Sequence, residues 1–164
     1  MTATDQQLWL AGETLAGVLE HQGLTIATAE SCTGGWVAKV LTDRPGSSVY
    51  LHSGLVTYSN DAKQRLLGVT SDSLAAHGAV SEPVVREMVA GALRITGTDL
   101  AVATSGVAGP GGGSEQKPVG TVWFAWGTRD DIRTARCRFD GDREAVRRQS
   151  VLYVLQSVTE FLQG

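Results

Sequence analysis

A chain of 164 residues suits one domain and can bury roughly 70% of its unfolded surface without disulfide or metal staples. Its net charge is −3 and no Lys/Arg run exceeds Arg147-Arg148, so no nucleic-acid partner is expected. Its apolar runs fall far short of the ~20 residues that span a bilayer, so no membrane partner is expected either.

Taken in chain order, Thr4-x-x-Gln7 has the form of a capping box, and Leu8, Ala11, Leu15, Val18 and Leu19 follow at helical spacing. Gly23 ends that helix and a strand over 24–29 follows. A helix over 33–42 stops before the turn Asp43-Arg44-Pro45-Gly46. Residues 49–58 read as extended, with Gly54 marking a bulge or a close backbone approach. Asn60 is a candidate cap for a helix over 61–67, and Ser71 for one over 72–76. Ser81-Glu82-Pro83 opens a stronger helix whose Val84, Val85, Met88, Val89, Ala92 and Leu93 share a face. A buried strand over 99–104 leads into a glycine-rich loop from Gly106 to Gly113. Strands over 119–127 and 131–138 form a hairpin, and a last helix starts near Asp142 with a buried stripe of Val146, Ser150, Val154, Val158 and Phe161. This alternation predicts an α/β layered fold with a mixed sheet and helices on both faces. No boundary or repeat interrupts it, so residues 1–164 read as a single domain.

The chemistry concentrates at Ala29-Glu30-Ser31-Cys32-Thr33-Gly34-Gly35, a tight passage from strand to helix. Such a turn presents hydroxyls and free N–H groups at the positive end of a helix, which suits an anion, an oxyanion or a nucleophile. Ser31 and Cys32 compete as nucleophile. The plain alternative for Ser31 is a helix N-cap, and for Cys32 a small buried packing residue. A nucleophilic serine needs a base. His21, His52 and His77 offer no evident partner and no metal-ligand spacing, so no metal is expected. Among the three lysines, Lys39 points away from the turn and Lys117 sits in the return of the glycine loop. Lys63 follows Tyr58 by five residues; it is either a buried base with a lowered pKa or an exposed helix residue.

The loop Gly106-Val107-Ala108-Gly109-Pro110-Gly111-Gly112-Gly113 matches neither a Walker motif nor a dinucleotide fingerprint. It lies beyond the carboxyl end of a buried strand, where open α/β sheets bind ligands, and is either a ligand cradle or a flexible excursion. Arg143, in the first turn of the last helix, is badly placed for the helix dipole and suits a clamp on a carboxylate or phosphate. Cys32 and Cys137 form no metal-spaced pair and no signal peptide precedes them, so a reducing cytoplasm is expected.

Together, Thr28-Ala29-Glu30-Ser31-Cys32-Thr33-Gly34-Gly35, Pro45-Gly46-Ser47-Ser48, Gly54-Leu55-Val56-Thr57-Tyr58-Ser59-Asn60 with Lys63, Gly78-Ala79-Val80-Ser81, Thr104 to Gly112, Lys117 to Val122 and Phe139-Asp140-Gly141-Asp142-Arg143 resemble the CinA C-terminal domain (PncC-type) family over about residues 6–162. The resemblance implies a three-layer α/β/α sandwich, a homo-oligomer, and deamidation of nicotinamide mononucleotide to nicotinic acid mononucleotide and ammonia without a cofactor. Some members carry an N-terminal domain resembling molybdopterin-binding proteins, which is not seen here, so a stand-alone unit is expected. The resemblance makes Ser31 the nucleophile and Tyr58 and Lys63 its activating and proton-shuttling partners. Ser48, Ser105 and Arg143 become contacts to substrate or transition state; position 105 is serine where relatives often carry threonine. The backbone around Thr33, Gly34 and Gly35 is then the oxyanion site, and Gly106 and Gly109 join Arg143 as candidates for the substrate phosphate. A non-catalytic nucleotide-binding module working with a separate protein is the competing reading.

Overall fold

Thr4 and Gln7 close a reciprocal capping box in the computed structural model, which describes residues 2–164. The Thr4 hydroxyl accepts from the Gln7 N–H at 3.1 Å, and the Gln7 side chain accepts from the Thr4 N–H at 2.9 Å. Helix α1 (Asp5–Gln22) ends at Gly23, whose φ of 67° is left-handed. Strand β1 (Ile26–Glu30) starts two residues later than the sequence suggests. Leu24 still belongs to the helix exit through its N–H bond to the Leu19 carbonyl, and Thr25 is held by Asp99.

Helix α2 (Trp36–Thr42) begins three residues later than expected, after the left-handed Gly34 and Gly35. The segment expected to be extended over 49–58 divides into a 3-10 turn at Ser47–Val49 and strand β2 (Leu51–Val56). Gly54 marks a close approach, since a Cβ there would lie 2.7 Å from the Ala38 Cβ of α2; the register to β1 shifts two residues earlier, at His52. Helices α3 (Asn60–Leu67) and α4 (Ser71–His77) are capped one residue earlier than expected, by Ser59 and Thr70. Helix α5 (Glu82–Thr96) carries Pro83 in its first turn, where no N–H is needed. Strands β3 (Leu100–Gly106), β4 (Thr121–Gly127) and β5 (Ile132–Arg138) precede α6 (Arg143–Gln163), capped by Asp142. Phe161 packs on the core edge only half-buried, unlike the rest of its stripe.

The five strands lie in the order β2-β1-β3-β4-β5. β2, β1 and β3 are parallel, while β4 and β5 run antiparallel as the hairpin. Val102, Val122 and Phe124 face a core with Leu15 and Leu19 of α1, Val37 of α2 and Val154 of α6. Ala29, Ala101, Ala103 and Ala125 face the other side, against Leu67 of α3 and Val85, Met88 and Val89 of α5. Alternate residues of the same strands thus feed two helical layers, giving a three-layer α/β/α sandwich. β1 and β3 lie side by side in the middle, and both point their carboxyl ends at the Ser31 turn and the glycine loop.

Candidate active site

Ser31 continues β1 by one residue, because its N–H donates to the Thr104 carbonyl at 3.0 Å. On the other side the Thr57 N–H donates to the Glu30 carbonyl at 2.8 Å. The serine is thus tied to β3 directly and to the chain leaving β2 through Glu30, and it remains 8% exposed. It does not cap α2. The N-cap position is Gly35, and the orphan N–H groups of Val37 and Ala38 donate to the Glu30 carboxylate at 2.9 and 3.0 Å. The same fully buried carboxylate accepts from Thr33 Oγ1 at 2.7 Å and Thr28 Oγ1 at 3.1 Å. Four hydrogen bonds offset its removal from water. Sequence reasoning missed this role; the acidic residue followed by an apolar helix was its only local signal.

Lys63 is what the freed hydroxyl meets. Ser59 starts α3 so that Lys63 falls on the inner side of the helix, 1% exposed, rather than in solvent. Its Nζ lies 3.0 Å from Ser31 Oγ and 2.9 Å from each of the Thr57 and Tyr58 carbonyls. Burial pulls its pKa down from 10.5 to about 8, with the neighbouring Cys32 acting weakly in the opposite direction. A neutral amine in this position can keep two N–H bonds to the carbonyls and turn its lone pair to the Ser31 hydroxyl. Cys32 does not compete: burial, followed by the charge of Glu30, pushes its thiol up to about 12.

Tyr58 meets this pair through its backbone. Its carbonyl accepts a hydrogen bond from Lys63 Nζ, while its phenol is turned outward, on a residue 58% exposed, and accepts from Arg143 Nη2 at 3.0 Å. The phenol therefore makes no hydrogen bond to Ser31 or Lys63. Arg143 Nη1 also donates to the Gly109 carbonyl at 2.8 Å and ties the start of α6 to the glycine loop. A cleft of about 460 Å³ opens beside it, between Ala108, Pro110 and Val119 of the loop and Gly141 to Glu144. Neither Ser31 nor Lys63 lines this cleft or the larger groove between α1 and α6; the cleft is tied to the Ser31 turn through the Arg143–Tyr58 hydrogen bond.

The other expected residues divide. Thr33 is fully buried and its hydroxyl is shared between Glu30 and Thr104, so that side chain faces the protein. Gly34 donates its N–H to the Ser31 carbonyl at 3.0 Å, whereas the N–H groups of Cys32, Thr33 and Gly35 have no partner carbonyl among the described residues. Ser105 is buried and donates to the Ala79 carbonyl. Gly106 ends β3, where a Cβ would meet the Thr121 carbonyl at 2.8 Å, so packing accounts for it. Lys39 pairs with Asp43 in solvent, and Lys117 donates to the His77 carbonyl. Ser48 is not brought to the site within one chain: it precedes β2 and lies at the opposite end of the parallel strands from Ser31. Arg147, which the sequence did not single out, donates from Nε to the Cys32 carbonyl at 3.1 Å and from Nη2 to the Thr33 carbonyl at 3.2 Å.

The model of the CinA C-terminal domain family matches residues 11–162. The nicotinamide-nucleotide amidohydrolase PncC of Escherichia coli K12 is 56% identical over 163 residues, covering 98% of this chain and 99% of that one. A crystal structure of a CinA superfamily protein from Klebsiella pneumoniae superposes with a TM-score of 0.92 at 43% identity, over 95% of this chain and 98% of that one. The competence/damage inducible protein CihA from Agrobacterium tumefaciens gives 0.93 at 37% identity over the whole of both chains. With its Ser31 turn, buried Lys63 and glycine loop on this mixed sheet, the chain belongs to the CinA C-terminal domain family.

Proposed function

We propose that this chain, acting as one domain, is an amidohydrolase that converts nicotinamide mononucleotide to nicotinic acid mononucleotide and ammonia. The observation that carries the reading is the 3.0 Å contact between Lys63 Nζ and Ser31 Oγ, with the other two lysine contacts made to carbonyls. Neutral Lys63 takes the Ser31 proton as Oγ attacks the carboxamide carbon. Unpartnered N–H groups of the 32–35 turn hold the oxyanion, each such donor being worth about 3 kcal/mol. Lys63 returns the proton to the nitrogen, the C–N bond breaks and ammonia leaves. Water then attacks the acyl-serine, gives its proton to Lys63, and the released Ser31 recovers it.

Arg143 makes no ion pair among the described residues and borders the cleft of the glycine loop, which suits the substrate phosphate. We assign Tyr58 to this rim with Arg143, as a substrate contact rather than a proton shuttle. The PncC name of the 56%-identical relative supports the choice of substrate. The test is release of ammonia from nicotinamide mononucleotide by the purified protein, together with formation of the acid. Tight binding without turnover would instead favour a nucleotide-binding module.

We also assign a homo-oligomer and a reducing, cytoplasmic setting, in keeping with two free cysteines. Edge strand β2 carries no Asp, Glu, Lys or Arg, and Val49 before it, Val56 at its end and Tyr58 after it are exposed. The other edge, β5, is guarded by Arg133, Arg136 and Arg138. Antiparallel pairing of two β2 strands about a two-fold axis between Ser53 and Gly54 would carry Ser48 of the partner subunit to the Tyr58–Ser59 end, where a single chain lacks it.

A further inference from the structure

Arg147 lies on α6 one turn after Arg143, on the same side of the helix. Its guanidinium makes no ion pair among the described residues. It is held instead by the carbonyls of Cys32 and Thr33 and stands 5.4 Å from the centre of the Trp36 ring. A cation whose two strongest partners are consecutive carbonyls of the nucleophile turn fixes the orientation of those peptides. Each peptide is planar and trans, so a carbonyl drawn toward α6 turns the following N–H the other way. For the Thr33 carbonyl that N–H belongs to Gly34 and is taken by the Ser31 carbonyl. For the Cys32 carbonyl it belongs to Thr33 and has no partner among the described residues.

Two further features fix the same peptide. The Thr33 hydroxyl is locked between Glu30 and Thr104, so the residue cannot rotate as a unit. Gly34 leaves room for the guanidinium, since a Cβ there would lie 3.0 Å from Arg147 Nη2, at a φ of 61°. The cation also polarises the Cys32–Thr33 peptide and so strengthens its N–H as a donor.

We propose that Arg147 is a positioning residue for the amide hydrolysis: it orients the Thr33 N–H as the oxyanion donor beside Ser31. The inference rests on the hydrolase reading above. It is tested by steady-state ammonia release from nicotinamide mononucleotide by the wild type, Arg147→Ala and Arg147→Lys, with thermal unfolding of each. Arg147→Ala is expected to lose about 100- to 1000-fold in kcat, as removal of an oxyanion donor does, with KM within about threefold. The pH limb set by Lys63 stays in place, and millimolar ethylguanidinium restores part of the rate. Arg147→Lys, which keeps the charge but not the two-pronged geometry, covers the case in which the alanine variant does not fold; its kcat should fall about tenfold or more. Wild-type turnover combined with kcat within threefold in the soluble variants, or a loss confined to KM, would overturn the inference and leave the hydrolase reading standing. A wild type that releases no ammonia would overturn both.

Discussion

Glu30 caps the helix that its neighbour Ser31 would otherwise cap. The carboxylate reaches over the turn to the Val37 and Ala38 N–H groups, and the serine hydroxyl is left for Lys63. Two adjacent residues at the end of one strand thus divide structure from chemistry. Their side chains alternate across the sheet, Glu30 toward α2 and Ser31 toward α3.

Glu30→Gln tests that division. The amide oxygen can satisfy one set of donors, but its NH2 group must then face N–H or hydroxyl donors inside a closed network. The variant is expected to lose about 2–4 kcal/mol of stability in urea unfolding, because a buried charge-assisted set of bonds is broken. A change below 0.5 kcal/mol would show that the carboxylate is dispensable as a cap.

The pH dependence follows from Lys63. As the proposed base, Lys63 acts when neutral, so kcat/KM should rise with pH and level off above an apparent pKa near 8. The sign for stability runs the same way. The folded lysine titrates near 8 and the unfolded one near 10.5, so the unfolded chain holds more protons between these values. This group's contribution to stability therefore rises with pH across that window. Lys63→Met should flatten both the rate limb and that part of the stability profile, as followed by initial rates and by denaturant melts from pH 7 to 10.5.

Tyr58 acts at Lys63 through its carbonyl, which a phenylalanine retains. Tyr58→Phe should therefore keep kcat within about threefold and raise KM, and Arg143→Ala should raise KM more. The double variant should be less than additive, with a coupling of about 0.5–1.5 kcal/mol, because the two side chains share one hydrogen bond. A fall in kcat of a hundredfold in Tyr58→Phe would restore the phenol as a proton shuttle.

The proposed β2 pairing predicts a dimer or larger assembly in light scattering. His52→Glu should convert it to a monomer by placing a charge on the pairing edge while leaving the β1–β2 ladder intact. Activity should fall with dissociation, and Ser48→Ala should raise KM only in the assembled form. A fully active monomer would remove Ser48 from the site.

Much of the fold was legible from local chemistry. The Thr4–Gln7 box, Gly23, the Val84–Leu93 face of α5 and the buried strand before the glycine loop all obey short-range rules, and all stand where those rules put them. The start of α2 was not legible, because its cap comes from Glu30, seven and eight residues before the groups it caps, across two left-handed glycines. Read locally, Lys63 looked like a solvent-facing helix residue, since its side of α3 is chosen by docking on α5. Arg147 was invisible for the same reason: its partner carbonyl at Cys32 lies 115 residues away in the chain. Ser48 was grouped with the site by resemblance alone, and only the parallel pairing of β2 with β1 reveals that one chain holds it at the far end.

In the proposed reaction Ser31, activated by Lys63, attacks the carboxamide. The most direct measurement is ammonia release by Ser31→Ala under saturating nicotinamide mononucleotide, alongside the affinity of the variant for that nucleotide by calorimetry. A loss of at least about a thousandfold in kcat with affinity preserved is expected, as for removal of a nucleophile from a prepared site. A variant that binds the nucleotide and turns it over within tenfold of the wild type would contradict it.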